Sequence, residues 1–167
     1  RALLCGIGTG MSAGLAWFFA RYFWGFTPQQ TGWVTVGVFA SAVIGSTMAP
    51  IVTRTIGKKR GAIAIGLIGY LGGALIISLR LFDVLPPNGD PFVFWFYLAA
   101  TTFDVGLVIC YQILTASMLS DLVEQAELKT GRRSEGVFFA ASTFIRKSVQ
   151  GFGVIAAGFV LSAAQFP

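Results

Sequence analysis

The sequence predicts an all-α, polytopic membrane protein with five membrane-spanning helices. Three observations predict it. Apolar residues make up 55% of the chain and charged residues 11%, against roughly 25% charged in an average soluble domain. The apolar residues fall in runs of about 20 or more, the length of helix that crosses a hydrocarbon core. Basic residues gather in alternate connections between those runs, the pattern that orients helices in a membrane. With a mean hydropathy of +0.75, a chain of 167 residues lacks the polar surface a soluble protein needs, and lipid is its expected solvent.

The first span covers about 2–26. It opens "RALLCGIGTGM", with the apolar run already under way and no cleavage site or polar mature region behind it, so it is not a signal peptide. The sequence therefore reads as a segment of a longer protein. Gly6, Gly10 and Gly14 recur at four-residue spacing, as do Gly37, Ser41, Gly45 and Ala49 in the second span, 31–53. Small residues at that spacing let helix backbones approach closely in lipid. The third span is 61–82. The fourth, 92–119, is interrupted by Asp104, and the fifth, 135–163, by Arg146 and Lys147.

The connections fix the orientation. "GFTPQQTG" (25–32) and "DVLPPNGDP" (83–91) are turn-rich and contain no Lys or Arg. The loops 54–60 and 120–134 hold Arg54, Lys58, Lys59, Arg60, Lys129, Arg132 and Arg133, and Arg1 falls on the same side. The other side has only Arg21 and Arg80, near helix ends where long side chains can snorkel. The loops 54–60 and 120–134 are therefore expected in the cytoplasm. Trp24, Trp33 and Trp95 lie near the non-basic loops, as an aromatic belt at the outer interface requires.

Composition also narrows the chemistry. The net charge of +5 reports orientation rather than a nucleic-acid surface, because basic residues are few and apolar runs many. Cys5 and Cys110 sit inside apolar runs and read as buried thiols, with no metal site and no disulfide framework. Histidine, the commonest general base and metal ligand, is absent from the sequence. No catalytic residue is expected.

Charges at membrane depth are expensive and usually line a cavity or pair with one another. Asp104 lies about 18 Å from the outer end of its helix, and Lys147 about 18 Å from the cytoplasmic end of the next, at 1.5 Å per residue. In a core about 30 Å thick they come to similar levels on consecutive antiparallel helices. Asp104 could pair there with Lys147 or Arg146, either as a structural ion pair or within a water-filled pathway. Thr101, Asp104, Tyr111 and Thr115 share one side of the fourth helix, and Thr143, Lys147 and Gln150 one side of the fifth.

The segment 120–136, "SDLVEQAELKTGRRSEG", holds seven of the chain's 12 basic and 7 acidic residues. Extended to "MLSDLVEQAELKTGRRSEG" and followed by "FFAASTFIRKSVQGFG", it closely resembles the glycoside–pentoside–hexuronide:cation symporters of the major facilitator superfamily. The matching positions are Asp121, Glu124, Glu127, Lys129, Gly131, Arg133, Glu135 and Lys147. "APIVTRTIGKKRGA" is similar to a short basic loop of the same family. The resemblance implies a twelve-helix fold, of which this chain would be the seventh to eleventh helices. It implies cation-coupled symport of a sugar or glycoside by alternating access, with Na⁺ or H⁺ as coupling ion and no other cofactor. The main ion site is then expected in the amino-terminal half, in the remainder of the same transporter chain. It implies a site for substrate and cation at Lys147, with Thr143 as a sugar hydrogen-bond partner; Asp104, Tyr111 and Arg146 are expected along the pathway from their depth in the spans and the polar side they share. The expected location is the cytoplasmic (inner) membrane.

The charged segment can act as a cytoplasmic gate, making ion pairs with a neighbouring loop in one conformation and releasing them in another. Each exposed pair contributes only about 0–1 kcal/mol, so a network is needed to bias two states. A solvated loop that only fixes topology remains open. The same residues admit other functions. Asp121, Glu124 and Glu127 could hold Mg²⁺ beside a phosphorylated lipid, but no phosphotransfer motif surrounds them. A carrier of a lipid or other amphiphile is the main alternative, and a non-transporting membrane scaffold a weaker one.

Overall fold

The computed structural model describes residues 2–131 and 135–163, and within them five α-helices follow in chain order. They are α1 (Ala2–Phe18), α2 (Pro28–Thr55), α3 (Lys58–Leu81), α4 (Pro91–Thr130) and α5 (Glu135–Ala163). Among the described residues, α2 to α5 are each long and apolar enough to cross a bilayer. α1 has 17 residues, about 26 Å at 1.5 Å per residue. It continues through a π-helical turn, Phe19–Phe23, closed by the Trp24 amide donating to the Phe19 carbonyl at 3.0 Å. That turn brings it to spanning length.

Local chemistry sets the helix ends. Thr27 caps α2 in a reciprocal box. The Gln30 amide donates to Thr27 Oγ1 at 3.3 Å, the Thr27 amide donates to Gln30 Oε1 at 2.9 Å, and Pro28 follows at the first turn. Asp90 accepts the Phe92 amide at 2.8 Å to start α4. Arg80 donates to the carbonyls of Leu85 and Pro86 at 3.2 and 3.0 Å, fastening the outer loop that follows α3.

α4 differs from expectation. Its 40 residues would run about 60 Å, twice the hydrocarbon thickness. Residues 120–130, expected as loop, are helical: "LVEQAELK" is rich in strong helix formers, so the helix outlasts the apolar run. It stops at Gly131, whose amide reaches the Glu127 carbonyl at 2.8 Å with φ +66, a left-handed conformation that favours glycine. The rest of that predicted loop, 132–134 with Arg133, lies outside the described residues.

The chain divides into two packed units, one from residues 1–24 and 125–167 and the other from 25–124, with the division falling inside α4. In the first, α1 packs on α5 through small residues. A Cβ added at Gly10 would collide with the Gln150 carbonyl, and one at Gly153 with the Ile7 carbonyl. One turn on, a Cβ at Gly14 would stand 3.3 Å from that of Ala157. Gly10 and Gly14 thus face Gly153 and Ala157, four-residue spacing meeting four-residue spacing. Gly6 lies outside the residues whose side-chain surroundings are described.

In the second unit, Ala49, Val52, Ala62, Ile65, Leu107, Cys110 and Leu114 form the buried core of α2, α3 and α4. The small residues expected on α2 are where it meets α4: a Cβ at Gly45 would lie 2.7 Å from the Gly106 carbonyl oxygen, and one at Gly37 2.5 Å from Thr102 Oγ1. Ser41 between them is fully buried and donates to its own helix, to the Val38 carbonyl, at 2.6 Å. Phe26 packs edge-on against Phe94 and Tyr97 at 5.7 and 5.0 Å.

The outward faces are apolar. Phe39, Leu71, Phe144 and Phe159 are all more than two-thirds exposed, which is the surface of a protein solvated by lipid. Trp33 and Trp95 are exposed, as interface anchors are, but Trp24 is buried at 2%. Trp24 follows the π turn and stacks edge-on against Phe23 at 5.3 Å, so it serves packing rather than the belt.

Candidate functional site

Asp104 is the one charged residue of α4 between Asp90 and Asp121. It faces α3, where the stretch "GLIGYLGG" presents glycines at 66, 69, 72 and 73. A Cβ at Gly72 would stand 2.9 Å from Asp104 Oδ1, and one at Gly73 3.6 Å from Oδ2. The carboxyl group therefore lies in a notch that exists because α3 has no side chains there. Oδ1 is out of contact with solvent and has no hydrogen-bond partner. A buried charge without a partner is strongly unfavourable.

Tyr111 lies two turns along α4 on the same side, its ring carbons 3.2 and 3.3 Å from where a Cβ of Gly66 would be. Thr115, expected on this face, is exposed and donates back to the Tyr111 carbonyl at 2.8 Å. Of the expected polar side of α4, Asp104 and Tyr111 are the residues turned onto α3.

Thr143, Arg146 and Lys147 sit on α5 in the other unit. Arg146 and Lys147 are exposed and Thr143 partly buried. The α5 seam with α1 runs through Gly153 and Ala157, leaving Lys147 off the packed stripe. Asp104 belongs to the second unit and Lys147 to the first.

At the charged end, Lys58 Nζ donates to both carboxylate oxygens of Asp121, at 2.8 and 2.7 Å. This links the first residue of α3, beside the short basic loop, to the far part of α4. With both oxygens engaged by an ammonium group, Asp121 is poorly disposed to hold a metal ion beside Glu124 and Glu127. Glu124 and Lys129 are exposed and Glu127 partly buried. Glu135 opens α5 in its first turn, where negative charge suits the helix dipole.

Sequence reasoning missed two features. The α3 glycine row was legible as three-residue spacing at 66, 69 and 72. Gly153 and Ala157 repeat on α5 the spacing noticed on α1.

Over residues 2–167 the chain matches the family described as MFS/sugar transport protein. It belongs to that family. Membership sets this MFS protein among transport proteins rather than enzymes, and its apolar helices make it a multi-pass membrane protein. It is similar to the uncharacterized symporter sll1374 of Synechocystis sp., 26% identical over 93% of this chain and 27% of that protein. It is similar also to the uncharacterized symporter YjmB of Bacillus subtilis, 25% identical over 89% of this chain and 31% of that protein. The MFS chain thus spans less than a third of the length of these relatives. No solved structure gives a significant match.

Proposed function

We propose that the chain forms the seventh to eleventh helices of a carrier that couples uptake of a sugar or glycoside to Na⁺ or H⁺ by alternating access in the cytoplasmic membrane. The observation that carries this reading is Asp104, an acid held at membrane depth in a family of transport proteins, with one carboxyl oxygen buried and unpartnered. Buried ionisable groups inside spans mark substrate and ion pathways. The symporter names of the two relatives support coupling to an ion.

In this reading Lys147 and Thr143 contact the solute, with Asp104, Tyr111 and Arg146 along the pathway. The main coupling-ion site lies in helices beyond this chain. The Lys58–Asp121 pair acts in a cytoplasmic gate, a role it shares with Glu124, Glu127, Lys129, Gly131, Arg133 and Glu135 of the charged segment. The test is uptake of a labelled panel of hexoses, pentosides and hexuronides by vesicles holding the full-length transporter, beside Lys147→Leu at matched protein level. Uptake lost in the variant supports the site, and uptake unchanged removes Lys147 from it.

A carrier of an amphiphile is the second reading. An apolar groove of about 330 Å³, lined by Trp33, Val36, Gly37, Ala40, Trp95, Leu98 and Thr102, favours it. Transport of no sugar under any gradient would select it.

A further inference from the structure

We propose that Lys59 and Arg60, with the outward face of α3 beneath them, hold an anionic phospholipid. The two cations take its phosphate group, and Ile63, Leu67 and Leu71 take an acyl chain. The proposal needs α3 to lie in a bilayer and is independent of which solute or ion the transporter moves.

Helix geometry divides the three consecutive cations that open α3. The buried residues Gly61, Ala62, Ile65 and Gly69 share one side of a helix of about 3.6 residues per turn. Lys58 falls on that side, three, four and seven positions before Gly61, Ala62 and Ile65. Its ammonium group accordingly reaches Asp121 of α4, at 2.8 and 2.7 Å. Lys59 and Arg60, one and two positions on, are turned away from the packed side and are exposed.

The face below them is apolar and open. Ile63 follows Lys59 by four residues, Leu67 follows Ile63 by four and Arg60 by seven, and Leu71 continues the row. The three are 50%, 60% and 68% exposed, so no neighbouring helix of this unit covers the row. Ile63 to Leu71 spans about 12 Å at 1.5 Å per residue, most of the about 15 Å of hydrocarbon in one leaflet. Charge at the surface with an apolar row descending through one leaflet is the complement of a phospholipid. The long stems of Lys59 and Arg60 let their charged heads reach the headgroup layer while the stems stay in the apolar region.

The sign of the headgroup follows from charge. At this end α2 and α3 carry Arg54, Lys58, Lys59 and Arg60, and neither helix contains an Asp or Glu. Two residues, Ile56 and Gly57, join the helices, so the exposed Arg54 adds its charge at the same level. Clustered Lys and Arg beside a span attract anionic lipid. A guanidinium can donate to two phosphate oxygens at once, and the lysine adds a compact charge beside it. A free phosphate meets the same cations but leaves the apolar row unused, so the chains commit the site to lipid.

Lipid titration of the detergent-solubilised full-length transporter, read by native mass spectrometry, tests this. The probes are phosphatidylglycerol, phosphatidylcholine with the same chains, and glycerol phosphate. Phosphatidylglycerol should bind more tightly than phosphatidylcholine, and glycerol phosphate should not displace it. Lys59→Gln and Arg60→Gln should each reduce the preference about 5-fold, and the double variant about 25-fold, from the attraction each surface cation exerts on anionic lipid. The single variants carry the test if the double variant does not fold. Lys58→Gln removes the same charge one residue away on the packed side, and should reduce the preference far less. No preference for phosphatidylglycerol in the parent protein overturns the proposal. So does an equal loss in Lys58→Gln, which would make the effect one of net charge rather than of this face. Displacement by glycerol phosphate overturns it too, since the site would then be one for soluble anions.

Discussion

Gly153 offers the sharpest test of how the first unit is held together. In Gly153→Ala the new methyl group would meet the Ile7 carbonyl, with Gly10 Cα and Met11 N each 2.9 Å away. All three are backbone atoms, so no side chain can swing aside. Carbon contacts relax at about 3.5–4.0 Å, so α1 and α5 must part by about 0.6 Å or more. Overpacking of this kind costs about 1–3 kcal/mol. Alanine also favours the helix over glycine by about 1 kcal/mol, which would mask part of the loss. Gly151→Ala supplies the correction, because nothing lies within 4 Å of a Cβ there. The propensity gain is common to both variants, and their difference isolates the clash. At about 2–4 °C per kcal/mol for a domain of this size, a 2 kcal/mol clash separates the two midpoints by about 4–8 °C. Thermal unfolding of the detergent-solubilised full-length transporter reads this. Equal midpoints, or a more stable Gly153→Ala, would refute the close α1–α5 crossing.

Two further outcomes follow from other contacts. In a double-mutant cycle of Lys58→Gln and Asp121→Asn, the half-exposed pair should show a coupling of about 0–1 kcal/mol in stability, while each single variant should change uptake rates alike if the pair gates; opposite changes would dissociate the pair from gating. Gly131→Ala places a side chain at φ +66, which costs about 1–2 kcal/mol and should lower the midpoint by about 2–8 °C; an unchanged midpoint would mean that α4 does not end in the left-handed turn.

Much of this was legible in the sequence, for identifiable reasons. Lipid demands long apolar helices, so the runs around Gly37 and Ile65 declare themselves by composition alone. The small residues of α1 and α2 announced close crossings, because only a missing side chain permits them. Four things were obscured. The helix beyond Leu119 continues because helical propensity does not stop where the membrane does, and charge was read as loop. Trp24 is buried just after the π turn, and a change of helical pitch leaves no mark in an aromatic count. The neighbour of Asp104 could not be read from its own helix: periodicity put it on a polar side with Tyr111, yet what that side meets is a row of glycines. The Lys58–Asp121 contact joins residues 63 apart, and sequence supplied the two charged ends without their pairing.

The most direct measurement of the central claim is solute accumulation by the full-length transporter in sealed proteoliposomes, under an imposed Na⁺ or H⁺ gradient and after its collapse with an ionophore. The account predicts that at least one sugar or glycoside accumulates above its outside concentration under one of the two gradients, and equilibrates when that gradient is gone. Accumulation indifferent to both gradients, or no movement of any sugar, would contradict it.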